Sequence, residues 1–157
     1  MPTPELVNAG DGLLLAIPLN WRRNAVVVFS TENEGAKGAS VVVRRESLDP
    51  RITLQQYTDG VLVELARTIP GFTLIDRRGR PIGGENAISL IYTFQASGTN
   101  HVQTQTCLID QVGSVLSIVT SSTREHAQDY DELFEQILNT ARLVPVITSH
   151  IPPQEAT

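Results

Sequence analysis

Residues 87–96 (AISLIYTFQA), 101–110 (HVQTQTCLID) and 113–120 (GSVLSIVT) decide the fold. Each run is rich in β-branched and apolar residues and is bounded by turn residues, the signature of a strand. Ser97-Gly98-Thr99-Asn100 separates the first two, and a tight turn at Asp110-Gln111 separates the last two. Parallel neighbours need a crossover of about a dozen residues or more, so connections this short predict antiparallel neighbours.

Upstream, residues 72–77 read as a strand. Arg78-Gly79-Arg80-Pro81 and Gly83-Gly84 read as turn chemistry. Thr53 and Gln56 have the spacing of a capping box, and Leu54, Tyr57, Val61 and Leu65 recur at helical spacing. A helix over 54–69 follows, stopped by Pro70-Gly71. Residues 13–17 read as a first strand, ended by Pro18. Residues 24–30 and 39–46 are Val-rich strands joined by a hairpin loop over 31–38, and Asp49-Pro50 breaks the chain after them. Downstream, Ser122 and Glu125 suggest a second capping box. Tyr130, Leu133, Phe134, Ile137, Leu138 and Ala141 form the apolar stripe of a second helix, closed by Pro145. Residues 1–12 and 146–157 read as polar tails, leaving one domain over 13–145. The order is βββαββββα: an α+β fold with a largely antiparallel sheet of about seven strands and two main helices.

The composition narrows the function. Of 157 residues, 41% are hydrophobic, which excludes intrinsic disorder. Twelve basic against 17 acidic residues give a net charge of −5, which argues against a general nucleic-acid binder. The longest apolar runs, 13–17 and 25–29, are far shorter than the roughly 20 residues of a membrane span. Met1-Pro2-Thr3-Pro4-Glu5 lacks the pattern of a signal peptide, so a cytoplasmic chain is expected.

Catalytic chemistry finds little support. His101, His126 and His150 are scattered, with no metal-ligand spacing among them. Cys107, the single cysteine, lies inside a strand and reads as a small buried hydrophobe. Gly79 and Gly83-Gly84 lack a following helix to turn their amides toward a phosphate. No enzyme activity, metal or cofactor is expected. Arg22-Arg23, Arg44-Arg45 and Arg77-Arg78-Gly79-Arg80 read as a solvated rim. Adjacent strand residues point to opposite faces, so Arg44 and Arg45 serve different surfaces.

The strands themselves are unusual. A sheet with one wet face alternates apolar and polar residues. Here Val26 and Val28 share one parity while Ala25, Val27 and Phe29 share the other, and the strands at 39–46 and 113–120 repeat this. Both faces are apolar. Either a helix covers each face, or part of one stays open as a groove. One parity of the strand from His101 adds a polar stripe, His101, Gln103, Gln105 and Cys107.

Several of these segments resemble a known family. Ile17-Pro18-Leu19-Asn20-Trp21, residues 24–29, and Ala39-Ser40-Val41-Val42-Val43-Arg44-Arg45 look like the start of an Eag-type chaperone of bacterial type VI secretion. Tyr57, Ile69-Pro70-Gly71-Phe72, Gly84, Tyr92 with Phe94, and Leu143-Val144-Pro145 continue the match in order, over about residues 13–145. The wider family includes DcrB-like envelope proteins, and its fold is similar to those of Mog1 and PsbP. The resemblance implies a non-catalytic cytoplasmic homodimer without cofactor. Such a protein shields the hydrophobic N-terminal transmembrane segments of a secreted effector in an apolar face before export. It implies a client face of Val26, Val28, Ser40, Val42, Arg44, Val61, Leu65, Ile69, His101 and Gln105. Val61 stands where a relative can carry a polar residue, and Arg44 where it can carry a small one. A groove of this kind also suits a small molecule or a lipid, which is the alternative function.

Overall fold

The computed structural model describes residues 4–10, 12–21, 24–31 and 38–145. The chain divides into two units. One contains an antiparallel hairpin of β1 (Pro4–Gly10) and β2 (Leu13–Pro18). Pro4–Gly10 is thus a strand and not the tail expected. Leu6 and Val7, good strand formers, pair with Ala16 and Leu15, but the flanking Pro and Gly hide so short a run. Most of the loop expected over 31–38, the expected tail 146–157, Arg22, Arg23 and His150 lie outside the described residues.

The other unit, residues 24–143, is a six-stranded antiparallel sheet with two helices. Its strands are β3 (Val26–Ser30), β4 (Ala39–Ser47), β5 (Thr73–Ile82), β6 (Glu85–Ala96), β7 (Thr99–Ile109) and β8 (Ser114–Thr123), in the order β3-β4-β8-β7-β6-β5. Strands β5 to β8 form a meander, as the short connections predict. The β6–β7 turn is tighter than expected: Ser97 and Gly98, with φ of 52° and 73°, form it alone, and Thr99 already belongs to β7. Both residues sit in the left-handed region that matches the twist of a two-residue hairpin.

Helix α1 (Leu54–Thr68) begins at the predicted capping box. Gln56 N donates to Thr53 Oγ1 at 3.1 Å, and Thr53 N donates to Gln56 Oε1 at 2.9 Å. Helix α2 (Ala127–Asn139) starts differently. Ser122 pairs with Ala39 on one side and Val102 on the other, inside β8. A single 3-10 turn over Arg124–His126 then leads into α2, and neither Thr123 nor His126 makes a side-chain cap. An interior strand offers the Ser122 backbone partners on both sides, and that outcompetes the cap.

Residues 78–81 also depart from expectation, continuing β5 up to Ile82. Pro81 is tolerated because β5 is an edge strand. Arg78 is exposed as expected of a solvated rim, but Arg77 and Arg80 are not. On one face of the sheet, Arg77 donates to Asp59 Oδ1 (2.6 Å), Thr58 Oγ1 (2.6 Å) and Gln55 O (3.1 Å) of α1. On the other face, Arg80 donates to Glu135 Oε1 (3.2 Å) and Asn139 Oδ1 (2.8 Å) of α2. One edge strand thereby grips both helices.

Each face therefore carries one helix. The α2 face holds a core of Ile82, Ala87, Leu108, Ile118 and Leu138, flanked by Val41, Leu116, Ala141 and Leu143. On the α1 face, Leu90, Tyr92, Cys107 and Thr58 are fully buried. Coverage fails at β3. Val26 (51%), Val27 (48%), Val28 (60%) and Phe29 (61%) are exposed on both faces of that strand.

Candidate functional site

Strand register places the expected residues. Val28 pairs with Val42, Val42 with Val119, Val119 with Gln105, and Gln105 with Leu90. Paired residues share a face, so this row crosses the sheet on one side. A second row runs Ser30, Ser40, Ser121, Gln103, Tyr92. A third runs Val26, Arg44, Ser117, Cys107, Ile88. His101, between Thr123 and Phe94, lies on the same side. Val26, Val28, Ser40, Val42, Arg44, His101 and Gln105 therefore share one face, and it is the α1 face. Arg45 points to the other, where it meets Asp110 at 2.6 Å.

Helix α1 supplies the wall. Its Tyr57 reaches over β4 to donate to Glu46 Oε1 at 3.4 Å. Val61, half-buried, lies four residues on, so it occupies the same flank of the helix as Tyr57. Leu65 and Ile69 are half-buried further along. Ile69 closes the helix where Gln95 N donates to Pro70 O, near the end of the face that holds Phe94 and His101. The rings of Phe94 and His101 stack with centroids 5.2 Å apart. Register thus puts seven of the ten expected residues on one face, while Val61 and Leu65 lie on α1 and Ile69 caps its end.

The floor is graded in polarity. Its middle row is valine. Toward His101 it becomes a hydroxyl-rich hollow of about 270 Å³, lined by Ser30, Ser40, Ser121 and Thr123 among others. The Oγ1 of Thr123 is buried there without a hydrogen-bond partner. Under α1 the polar groups are satisfied. Tyr92 donates to Gln103 Oε1 at 2.7 Å, and Cys107 Sγ lies 3.6 Å from Ser117 Oγ and 3.7 Å from Gln105 Nε2. Burial, with the Glu46 charge adding to it, pushes Tyr57 up to about 12. Burial likewise pushes Tyr92 up to about 12 and raises the Cys107 thiol. These groups stay neutral at neutral pH.

Val119, Ser121, Ser30 and Tyr57 also contribute to this face and were not expected. Val119 and Ser121 have the right parity, but only the pairing of β8 with β4 brings them there. A second hollow, of about 160 Å³, lies on the α2 face between Phe29, Val41 and the α2 residues Tyr130, Leu133, Phe134 and Ile137. Among the described residues, no three His, Cys, Asp or Glu side chains are grouped to hold a metal ion. No helix there is long and apolar enough to cross a membrane.

Comparison with known proteins gives the family and the fold. A Pseudomonas aeruginosa protein named effector EagT6 is 26% identical over 132 residues, covering 83% of this chain and 90% of that protein. In fold, the chain is similar to the P. aeruginosa protein PA94, described as a protein of unknown function and putative regulator. That match has a TM-score of 0.73 and 23% identity, over 92% of this chain and 99% of that one. LpqN, described as involved in cell envelope biogenesis of Mycobacterium tuberculosis, matches with a TM-score of 0.50 at 13% identity, over 94% and 90% of the two chains. The DcrB family model matches residues 13–140. Most of the chain is covered by that match, and the protein belongs to the DcrB family.

Proposed function

We propose that the protein is a cytoplasmic, non-catalytic chaperone of type VI secretion. It binds the hydrophobic N-terminal transmembrane segments of an effector, shields them from water until export, and acts as a homodimer. The observation that carries this reading is the uncovered valine floor of β3 and β4, bordered by α1 and ending in a hydroxyl-rich hollow. The Eag-type resemblance and the relation to EagT6 supply the client class.

The physics suits such a client. Covering apolar surface returns about 25 cal/mol per Å². Ser40 and Ser121, which line the hollow, offer hydrogen bonds like those between membrane helices, each worth about 0.6–2 kcal/mol. Arg44 is exposed, so its stem can lie along the floor while its head stays in water. Co-expression with an effector tests the reading. Full-length effector is expected to co-purify, and effector lacking its hydrophobic segments is not. Retention of the truncated effector would overturn the mechanism. Mass spectrometry of the purified protein separates out the alternative function, since a bound lipid would favour it.

A further inference from the structure

We propose that Arg44 determines the specificity of the client floor: it selects apolar segments that carry a carboxylate, and pairs with that group. The proposal rests on the chaperone reading and adds the chemistry that separates one hydrophobic client from another.

Strand β4 carries two consecutive arginines with opposite surroundings. Arg45, on the α2 face, meets Asp110 at 2.6 Å. Arg44, on the client face, is exposed. Of the nine arginines among the described residues, Arg45, Arg51, Arg67, Arg77, Arg78 and Arg80 each pair with a carboxylate. Arg44, Arg124 and Arg142 do not. Arg124 belongs to the 3-10 turn and Arg142 follows α2, so Arg44 is the one of these three that stands on the floor.

Its neighbours leave the guanidinium without an acid. Val26 faces it on β3, and Ser117 faces it on β8. Neither of those strands contains an Asp or Glu. Ser117 is buried, with its Oγ 3.6 Å from Cys107 Sγ. The one acid of β4 is Glu46, two residues on and about 7 Å away along the strand. Glu46 accepts from Tyr57 of α1 at 3.4 Å instead.

A client cannot avoid this cation. Neighbouring strands lie about 5 Å apart and same-face residues of one strand about 7 Å apart, whereas a helix is roughly 10–12 Å across. A helix seated on Val26, Val28 and Val42 therefore covers Arg44 as well. Under a wholly apolar helix the guanidinium escapes the cost of burial only by reaching past it to water, and gains nothing. A lysine on the helix adds repulsion. A carboxylate accepts two parallel N–H bonds from the planar guanidinium, in surroundings that the helix itself makes drier. The valines hold hydrophobic segments of every kind, so discrimination needs a group that attracts one kind and penalises the others. Arg44 does both. The net charge of −5 works against an acidic client at long range, so the preference is local to this side chain.

Three labelled peptides test this on the full chain. They share one apolar helical sequence and differ at a single position, which is Glu, Gln or Lys. Fluorescence anisotropy reads their binding. The wild type is expected to hold the Glu peptide about tenfold more tightly than the Gln peptide, the size of a charge-assisted hydrogen bond, and the Lys peptide least. Arg44→Gln is expected to remove the Glu preference, and Arg44→Glu to invert it, so that the Lys peptide binds best. Arg142→Gln, at an exposed arginine after α2, is the control and keeps the Glu preference. Circular dichroism checks the fold of each variant, and if Arg44→Glu does not fold, Arg44→Gln decides alone. A wild type that binds the Glu and Gln peptides equally, or a Glu preference that survives Arg44→Gln, overturns the inference and leaves the chaperone reading standing. A wild type that binds none of the three overturns the chaperone reading and the inference with it.

Discussion

Replacing Val28 with Asp tests the client floor where the structure allows the effect to be sized. Val28 is 60% exposed, so about 90 Å² of it is free for a client to cover, worth about 2 kcal/mol at 25 cal/mol per Å². Desolvating a carboxylate under an apolar helix costs at least another 2–3 kcal/mol, about the minimum seen for buried charged groups. The loss of about 4–5 kcal/mol corresponds to roughly a thousand-fold weaker capture. The fold itself loses only the part of Val28 already buried, about 1–1.5 kcal/mol. That lowers Tm by about 3–6 °C for a domain of this size. Fluorescence anisotropy with a labelled apolar helix reads the first quantity and a melting curve the second. Val63→Asp, on the exposed side of α1, is the control and keeps wild-type capture. Val42→Asp, one strand in from the edge, is measured beside it and also loses capture. If Val28→Asp and Val42→Asp bind the helix as well as wild type, the floor is not the client seat. Loss of folding in both would mean that the valines serve the core instead.

Four further outcomes follow from the structure. Thr53→Ala removes the capping hydrogen bond of α1 and lowers unfolding free energy by about 0.5–2 kcal/mol, whereas Glu125→Ala, which caps nothing, changes denaturant stability by less than about 0.5 kcal/mol. Arg80→Ala leaves Asn139 without its donor and frees α2 from β5, costing about 1–3 kcal/mol in denaturant titration. Tyr57 and Tyr92 have folded values raised from 10 to about 12, so their contribution to stability is complete below pH 10 and is lost as pH rises through about 12. Absorbance near 295 nm is expected to show their ionisation only in that window. Cys107, buried and with its thiol raised, is expected to resist Ellman's reagent until the protein is unfolded.

The features legible in the sequence were those set by near neighbours. The Thr53–Gln56 box is a three-residue pattern, and the helix starts where it says. The parity of Val26, Val28, Ser40, Val42 and Arg44 survives because strand geometry alternates side chains whatever the partner strand is. What escaped depends on distant pairing. Val119 and Ser121 join the floor only because β8 inserts between β4 and β7. Ser122 resembles a cap until that insertion gives its backbone two partners. Arg78-Gly79-Arg80-Pro81 resembles a turn, but arginines held by helices on opposite faces keep that segment extended. Pro4–Gly10 was hidden because a short run between Pro and Gly carries little periodicity.

The grip of β5 on both helices has a consequence for how such a chain can change over generations. The fully buried residues of the α2-face core and the two arginine anchors lie toward β5, β6, β7 and β8, while β3, at the far edge, contributes no buried residue. Substitutions at residues 26–30 therefore draw less on the stability reserve than core changes do, about 1–1.5 kcal/mol or below against the roughly 2–5 kcal/mol of a large-to-small core substitution. Selection can retune that edge to a new binding segment without first raising the stability of the remainder, so specificity and foldedness can drift independently in this unit.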